Sequence, residues 1–310
     1  MQIDVKLLEA FRAVVENTSV TGAAQVLGVT QPAVSAQISR LEAQVGFPLF
    51  DRANGRLRIS AEGRRFYEEV RTVLGGLDKL ADIATTIRSG ERESLVIASH
   101  PGGSTALLPT VMPALLEKRP GLRARMIHRT SEEVAAVFEA GGADVAICEW
   151  PVSVSDAPVK RYRLPCVAIV PRGHALAGRP HLTPRDLDDD TLIGMAETRL
   201  IGHTMREVFV SAGARWQPAI VSEYFSTICG LVASGAGVAL VDVLSARFFA
   251  GLGLTPVPFA PDVTYEIAVF RRTLDQPEPV SDDLLALIDQ RIRQVQTPDP
   301  TLAPQPTETP

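Results

Sequence analysis

The sequence predicts an α/β protein with a small helical domain at its start. Two observations carry this prediction. Residues 19–45 read as two short helices joined by a tight turn, and from residue 95 onward apolar strand segments alternate with helical segments. Between these regions, residues 61–89 read as one long helix. A chain of 310 residues is long enough for two or more domains.

The helix pair has start and stop signals at both ends. Ser19 is a predicted N-cap, and Gly28 suits the left-handed residue that ends a helix. Thr30 is the predicted N-cap of the second helix, and Pro32 fits its first turn, where a missing N–H is no loss. Apolar residues at four-three-four spacing predict one buried face on this helix: Val34, Ile38, Leu41 and Val45.

The other face of the second helix carries Gln31, Ser35, Gln37, Ser39 and Arg40. Side chains of this kind can read base edges or hold phosphates when a helix enters a major groove. An ordinary helical hairpin with a polar solvent face is the competing interpretation. The two helices alone favour that simpler interpretation, because such hairpins are common in proteins that bind no DNA.

The segment after the pair favours DNA binding. Residues 47–60 predict a hairpin around an Asn54-Gly55 turn, with Arg52 on one arm and Arg56 on the other. Five arginines within fourteen residues form a candidate phosphate-binding surface: Arg52, Arg56, Arg58, Arg64 and Arg65. Without the helix pair beside it, this cluster would be read as a solvated charge run.

Two further helices complete the amino-terminal region. Residues 4–16, with Asp4 as N-cap, predict a helix that supplies a core. Ser60 is the predicted N-cap of the long helix at 61–89, which carries a heptad seam: Phe66, Val70, Val73, Leu77, Leu80, Ala84 and Ile87. The seam predicts a partner helix from a second subunit, and packing on the protein's own core is the alternative. The polar residues 90–93 predict a hinge.

The segment GAAQVLGVTQPAVSAQISRLEAQVGFPLFDR resembles the amino-terminal domain of LysR-type transcriptional regulators. The shared features are the Ala-Ala pair, the TQPAVS helix start, the following LE, the turn at Gly46 and the LF-x-R sequence that ends at Arg52. The resemblance extends in length and layout over residues 1 to about 295. It implies a winged helix-turn-helix, a long dimerisation helix, and an effector domain of two α/β subdomains like a type 2 periplasmic binding protein.

The resemblance and the composition together predict the domain bounds. We expect a winged helix-turn-helix DNA-binding domain at 1–60, the linker and dimerisation helix at 61–89, the hinge at 90–93, an effector-binding domain at 94–296 and a disordered tail at 297–310. Within the effector domain, we expect subdomain I at about 94–165 and 267–296, and subdomain II at about 166–266.

The resemblance also implies partners and contacts. We expect a homodimer, paired through residues 61–89, that forms a homotetramer on double-stranded promoter DNA. Gln31, Pro32 and Ser35 are expected to meet base edges. The residues expected to contact phosphates are Thr21, Thr30, Ser39, Arg40, Arg52 and Arg56.

A small-molecule effector site is predicted in the α/β part of the chain. Ligands of open α/β folds bind beyond the carboxyl ends of strands, where helix N-termini favour an anion. The predicted effector-binding residues are Ser99, Gly103, Ser104, Thr105, Glu149, Glu197, Thr198, His203, Thr227 and Asp242. Plain βα loops with serine caps are the alternative. Hydroxyls and helix N-termini suit a carboxylate on the ligand, and the several carboxylates suit a cationic group on it, so we expect an amino acid or another carboxylate as the effector. The sequences NGRLRIS, RGHALA and VASGAGVALVD look most like the branch of the family that senses lysine precursors or opines.

Charge and hydropathy limit the other partners. The formal net charge of the whole chain, −5, argues against binding to nucleic acid. Residues 1–92, however, hold 12 Lys and Arg against 11 Asp and Glu. The amino-terminal part is therefore near neutral, with its arginines clustered. The sequence has no run of 18 apolar residues and no signal-peptide pattern, so we expect a cytoplasmic protein without a membrane partner.

Catalytic and metal-binding motifs are missing from the sequence. It has no G-x-S-x-G, no P-loop, no H-E-x-x-H and no G-x-G-x-x-G after a strand, so we expect no enzyme activity, no cofactor and no metal. An α/β enzyme or a pure small-molecule-binding protein is a remote alternative. Cys148, Cys166 and Cys229 lie in apolar runs and should be buried. A redox-responsive or effector-independent regulator is the nearer alternative.

Overall fold

The fold is taken from a computed structural model. It describes residues 3–53, 56–89, 94–155, 160–272 and 279–296. The chain divides into two compact units, of which the first comprises residues 1–92 and 135–144 and the second comprises residues 93–134 and 145–310. Within the described ranges, each helix is too short or too polar to cross a membrane.

Three short helices form the start of the first unit: α1 (Val5–Asn17), α2 (Val20–Leu27) and α3 (Gln31–Val45). Asp4 Oδ1 accepts the Lys6 N–H at 3.0 Å, and Ser19 Oγ accepts the Gly22 N–H at 3.3 Å, which confirms both predicted N-caps. Gly28 is left-handed at φ 66°, as predicted. Thr30 occupies the N-cap position of α3, as predicted, although its side chain makes no capping hydrogen bond.

A hairpin and a long helix follow: β1 (Phe50–Ala53), β2 (Arg56–Ile59) and α4 (Ala61–Ser89). The strands are antiparallel, as predicted, and the predicted turn residues 54 and 55 lie outside the described residues. Ser60 begins α4: its Oγ accepts the Gly63 N–H at 2.8 Å and donates to the Pro48 carbonyl at 2.8 Å. One buried hydroxyl therefore joins the hairpin to the helix.

The heptad seam of α4 divides between two environments. Val70 is 2% exposed within the core of the first unit, and Phe66 and Leu77 pack half-buried against that core. Val73 is 50% exposed and Leu80 is 62% exposed. The prediction that the whole seam faces a partner helix was therefore wrong for Val70, because the core of its own unit already covers it. Phe66 and Leu77 are only partly covered by that core, so their contact with a partner helix remains a prediction. The side chain of Ile87 lies outside the described part of the structure.

Strands of the second unit follow the order β4-β3-β5-β11-β6-β9-β7-β8, and β10 pairs with β6. Their bounds are β3 (Ser94–Ser99), β4 (Arg123–His128), β5 (Val145–Glu149), β6 (Lys160–Pro171), β7 (Leu192–Met195), β8 (Ile220–Ser222), β9 (Val238–Asp242), β10 (Leu254–Val257) and β11 (Thr264–Arg271). The helices that accompany them are α5 (Leu108–Lys118), α7 (Leu200–Ser211), α8 (Phe225–Ala233), α9 (Val243–Phe249) and α10 (Pro279–Gln296). Helix α6 (Ser131–Glu139) begins in the second unit, and its residues from 135 onward belong to the first.

The alternation of strands and helices predicted parallel sheets, but the observed pairing is mixed. Strand β6 is antiparallel to β9, β10 and β11, and β11 is also antiparallel to β5. Helix α9 and strand β10 were not predicted. A π-helical turn, Gly103–Leu107, directly precedes α5.

Strand β6 is the longest strand described, and it serves two sets of neighbours. It pairs with β11 from Lys160 to Pro165 and with β9 from Cys166 to Ile169. The predicted bounds of the domains and subdomains remain predictions.

Replacing Ser60 with alanine should destabilise the first unit. The change leaves the Pro48 carbonyl and the Gly63 N–H of a buried site without their shared partner, which should cost about 1–2 kcal/mol. Thermal unfolding followed by circular dichroism measures this cost. Thr30→Ala is the matched control, because Thr30 stands at an N-cap position without a capping bond. Equal melting temperatures for the two variants would contradict the account.

Candidate functional site

The surface of the helix pair presents the side chains that the sequence predicted. Gln31 and Pro32, at the start of α3, are exposed. Ser35, one turn later, is half-buried beside the buried Val34. The remaining predicted residues of this pair are all exposed: Thr21, Thr30, Ser39 and Arg40. The helix therefore offers a polar face at its amino-terminal end while its other face packs against α1.

The hairpin places its arginines by its register. Arg52 lies opposite Leu57, and Arg56 lies opposite Ala53. The side chains of Arg52 and Arg56 lie outside the described part of the structure. Arg58 is described, and it is exposed.

Two hydrogen bonds to a side chain of α3 hold the hairpin against the helix pair. The Glu42 carboxylate accepts the Leu49 N–H at 2.8 Å and the Phe50 N–H at 3.3 Å. Glu42 lies in the LE sequence that follows the TQPAVS helix start, but sequence reasoning missed its role as an acceptor. The contact was difficult to predict because it joins residues that are seven and eight positions apart. It holds the first strand of the hairpin at a fixed position relative to α3.

The second unit contains a cavity of about 320 Å³. The residues that line it come from the end of β5, from β6, from the start of α7 and from β11: Glu149, Trp150, Pro151, Arg161, Arg199, Leu200, Ile201, Thr204, Thr264, Tyr265 and Glu266. This volume is at the small end of the range for ligand pockets. The lining combines carboxylates, guanidinium groups and two aromatic rings.

Glu149 is the centre of a hydrogen-bonded cluster in this cavity. Its carboxylate accepts the Tyr265 hydroxyl at 2.6 Å and forms an ion pair with Arg199. The Glu149 side chain is 23% exposed and the Arg199 side chain 19% exposed, so both charges are largely withdrawn from water. The backbone N–H of Glu149 donates to Ser131 Oγ at 2.9 Å, which fixes the residue at the end of β5.

His100 lies behind Tyr265 and is buried. Its Nδ1 donates to the Ile147 carbonyl at 3.1 Å, and its Nε2 accepts the Gly103 N–H at 3.3 Å. Burial lowers the pKa of His100 to about 4, so the ring is neutral at pH 7. The Tyr265 oxygen lies 3.2 Å from Nε2, but its single proton goes to the closer carboxylate of Glu149. The cluster thus links the cavity to the start of the π-helical turn.

Two family descriptions match most of the chain. They are "Bacterial regulatory helix-turn-helix protein, lysR family" over residues 5–64 and "LysR substrate binding domain" over residues 88–293. The chain belongs to the LysR family of bacterial helix-turn-helix regulators. It is a LysR-type DNA-binding transcriptional regulator with an effector-binding domain.

Relatives of known name match this LysR-type regulator over most of their length. "Transcriptional activator protein LysR" of Escherichia coli (strain K12) is 27% identical over 87% of each chain. "Regulatory protein NocR" of Agrobacterium fabrum is 28% identical over 93% of this chain and 96% of its own. "Octopine catabolism/uptake operon regulatory protein OccR" of Rhizobium meliloti is 29% identical over 80% of this chain and 82% of its own.

Solved structures share the fold. CbnR, a LysR family transcriptional regulator, superposes with a TM-score of 0.65 at 20% identity over 96% of this chain and 100% of its own. Full-length CbnR complexed with target DNA gives a TM-score of 0.64 at 21% identity over 93% of this chain and 99% of its own. The predicted family and the predicted fold class are therefore confirmed.

The first group of predicted effector residues surrounds the π-helical turn of the LysR-type regulator. Ser99 is buried and donates to the His100 carbonyl at 3.0 Å, and Ser104 donates to the Ser99 carbonyl at 3.3 Å. Gly103 is buried so tightly that a Cβ would lie 2.3 Å from Ser99 Oγ. Thr105 is half-buried. None of these four belongs to the described lining of the cavity, and their predicted contact with an effector remains a prediction.

The second group of predicted effector residues lies in or next to helices α7 and α8. Glu197 accepts the Trp216 Nε1–H at 3.0 Å and lies 3.5 Å from Arg206 Nε. His203 is exposed and lies 3.1 Å from Glu207 on the next turn of α7. Thr198 and Thr227 are exposed. These residues also lie outside the described lining of the cavity, whereas Glu149 belongs to it.

Asp242 has a structural role at the end of β9. It is buried, and its Oδ1 accepts the Leu244 and Ser245 N–H groups at 2.9 and 3.0 Å, so it is the N-cap of α9. Its Oδ2 has no hydrogen-bond partner within the described structure. Burial raises the pKa of Asp242 above its ordinary value, against the hydrogen bonds from Ser245 and Leu244.

The three cysteines are free and buried, as the sequence predicted. Burial raises the pKa of Cys148 to about 12, and it also raises the pKa of Cys166 and of Cys229 well above that of an exposed thiol. A thiol must ionise to react readily with an oxidant. The surroundings of these cysteines therefore weigh against the redox-responsive alternative.

Sequence reasoning placed Arg199 after a strand on the facing wall of the predicted cleft, but it did not pair Arg199 or Tyr265 with Glu149. Arg199 follows β7 and Tyr265 lies within β11, so both are distant from Glu149 in the chain. Glu149 itself could be predicted, because it ends a buried strand. No local motif joins the three residues, so only the fold could show that their side chains meet.

Acid should destabilise the second unit through His100. Its folded pKa of about 4 lies below the unfolded value of 6.5, so the unfolded state takes up the proton first as the pH falls. Stability should be unaffected above about pH 6.5 and should fall by about 3 kcal/mol between about pH 6.5 and 4. Urea unfolding followed by tryptophan fluorescence measures this change, because Trp150 and Trp216 both lie in the second unit.

The His100→Gln variant should lose most of this acid-dependent fall. Asp242, whose pKa is raised, shifts stability in the opposite direction, so the wild type and the variant must be compared at each pH. His181→Gln, at an exposed histidine, is the matched control and should keep the wild-type pH dependence. Identical pH profiles for wild type and His100→Gln would refute this account of the buried ring.

Proposed function

We propose that the regulator is controlled by an amino acid or amino-acid derivative that binds in the cavity at Glu149. The observation that carries this proposal is the largely buried Glu149–Arg199 ion pair in the cavity wall. Its two members offer one acceptor for an ammonium group and one fork of donors for a carboxylate. The regulator acts by binding and not by catalysis.

The charge of the ligand follows from the cost of an unpaired charge. Removing one partner of a largely buried ion pair is expensive, because the other charge is left without its counterion. A simple carboxylate would engage Arg199 and leave Glu149 unpaired. A simple amine would do the reverse. A zwitterion satisfies both residues at once, so it can replace their mutual contact without leaving either charge alone.

Two further observations support an amino-acid effector. A cavity of about 320 Å³ suits a ligand of that size. The matched relatives include a protein named as the regulator of an octopine catabolism and uptake operon, and octopine is an amino-acid derivative. The remaining predicted effector residues, from Ser99 to Asp242, are proposed as surroundings of this site and not as its charged centre.

We propose DNA contacts on the polar face of α3. Gln31, Pro32 and Ser35 lie at its amino-terminal end and would read base edges in a major groove. The residues proposed to hold phosphates are Thr21, Thr30, Ser39, Arg40, Arg52 and Arg56. The Glu42 contacts to Leu49 and Phe50 would keep the hairpin in register with α3 on the DNA.

We propose that the subunits pair along the exposed part of α4 and act in the cytoplasm. Val73 and Leu80 are the large apolar side chains that α4 leaves exposed among its described residues. A tetramer would place two recognition helices in successive major grooves, about 34 Å apart. The effector would change regulation by preferring one quaternary arrangement over another.

The effector proposal predicts a specific pattern in a thermal-shift screen. Among the common L-amino acids, at least one should raise the melting temperature of the full-length protein, because a ligand that binds only the folded state stabilises it. The corresponding decarboxylated amine and deaminated acid should not raise it at the same concentration. A single-charge analogue that stabilises as strongly as the amino acid would contradict the zwitterion proposal.

The variant Glu149→Gln should weaken binding of the stabilising amino acid by at least about tenfold, because it keeps the side-chain shape and removes the charge. Glu117→Gln, at an exposed carboxylate outside the cavity, is the matched control and should bind normally. Normal binding by Glu149→Gln would remove Glu149 from the site.

The DNA proposal predicts that Gln31→Ala weakens specific binding more than nonspecific binding. Loss of one base-edge contact should lower affinity for a DNA sequence selected by the protein about tenfold or more. Affinity for random DNA should not change. Fluorescence anisotropy at fixed salt measures both, and Gln25→Ala, at an exposed glutamine of α2, is the matched control. Equal losses on both DNAs would exclude Gln31 from sequence reading.

A further inference from the structure

Part of the cavity is not used by the Glu149–Arg199 pair. Here Trp150, Arg161 and Glu266 line the wall. The guanidinium carbon of Arg161 lies 4.9 Å from the centroid of the Trp150 ring, within cation–π distance. The aromatic face of Trp150 is therefore already an environment in which a planar or compact cation is stabilised.

The strand register brings Glu266 to the same place. Glu266 on β11 lies opposite Arg163 on β6, and Arg161 lies two residues before Arg163. Side chains two residues apart in a strand share one face. Arg161, Arg163 and Glu266 therefore lie on one face of the sheet, and Arg161 extends from it over Trp150.

The charges in this part of the cavity differ in exposure. The Glu266 side chain is 30% exposed, and its Oε1 lies 3.4 Å from Arg163 Nε, whose side chain is 75% exposed. An ion pair with so exposed a partner stabilises the Glu266 charge only weakly. Once Glu149 and Arg199 are paired with a zwitterion, Glu266 is the more buried of the charges that remain, and it favours a cation.

We propose that Trp150 and Glu266 form a second subsite that binds a distal ammonium or guanidinium group. The effector is then a basic amino acid or an N-substituted derivative of one. This inference rests on the proposed function, because it assumes that the α-ammonium and α-carboxylate groups occupy Glu149 and Arg199. The ligand cation competes with Arg161 for the face of Trp150, and the exposed Arg161 can move into solvent at low cost.

Other side chains on the ligand fit this part of the cavity less well. An apolar end would cover Glu266 and remove water from it without supplying a counterion. A second carboxylate would meet Arg161, which is exposed and so contributes little, while it approaches the carboxylates of Glu149 and Glu266. A distal cation avoids both penalties and gains the aromatic face as well.

Pairs of amino acids matched in shape test this subsite. L-lysine differs from L-norleucine, and L-arginine from L-citrulline, chiefly in the distal charge. Isothermal titration calorimetry on the full-length protein should give at least one cationic member an affinity about tenfold higher than that of its neutral partner. The Glu266→Gln variant should lose that preference without losing affinity for the neutral partner. Asp262→Asn, at an exposed carboxylate of the same region outside the cavity, is the matched control.

Trp150→Leu gives a second test, because it keeps an apolar wall and removes the aromatic face. It should also reduce the preference for the cationic member, and its melting curve shows whether it is folded. Equal binding of both members of each pair would overturn the subsite and leave the zwitterion proposal in place. If other amino acids bind but neither L-lysine nor L-arginine does, the subsite is likewise overturned and the zwitterion proposal stays in place. If no amino acid binds at all, the proposed function itself fails.

Discussion

The Glu149 carboxylate is largely withdrawn from water, and a charge in that position needs partners close by. It has two, the Arg199 guanidinium and the Tyr265 hydroxyl, which approach it from different parts of the chain. Tyr265 is held in turn beside the neutral ring of His100, which burial keeps unprotonated near pH 7. If the effector binds in this cavity, as we propose, it must exchange these contacts for its own, and this carboxylate then sets the chemistry of the effector.

The sheet explains why those partners meet. Strand β11 pairs with both β5 and β6, so Tyr265 is carried next to the end of the strand that bears Glu149. Strand β6 changes partner from β11 to β9 after Pro165, and it continues into the part of the sheet that includes β7. Arg199 follows β7. A ligand between Glu149 and Arg199 therefore contacts segments that β6 joins, which gives ligand binding a route to a change in their arrangement.

Much of the amino-terminal unit could be predicted from local signals in the sequence. The rest depends on contacts between residues that are distant in the chain, and it could not be predicted. Ser19 and Gly28 act through neighbouring backbone groups, so their roles could be read from adjacent residues. Phe66 and Val70 fit a coiled-coil seam equally well, and only the packed core shows that they face the helices of their own unit. At the proposed effector site, Glu149 could be predicted from its place at a strand end. Tyr265 and Arg199 reach Glu149 through the pairing of the strands. The sequence pattern favoured parallel neighbours and did not predict this pairing.

A crystal structure of the regulator with its stabilising amino acid bound would test the central claim most directly. The account predicts the ligand carboxylate on Arg199, its α-ammonium group on Glu149, and Tyr265 still donating to Glu149. A ligand bound elsewhere, with Glu149 and Arg199 still paired to each other, would contradict it.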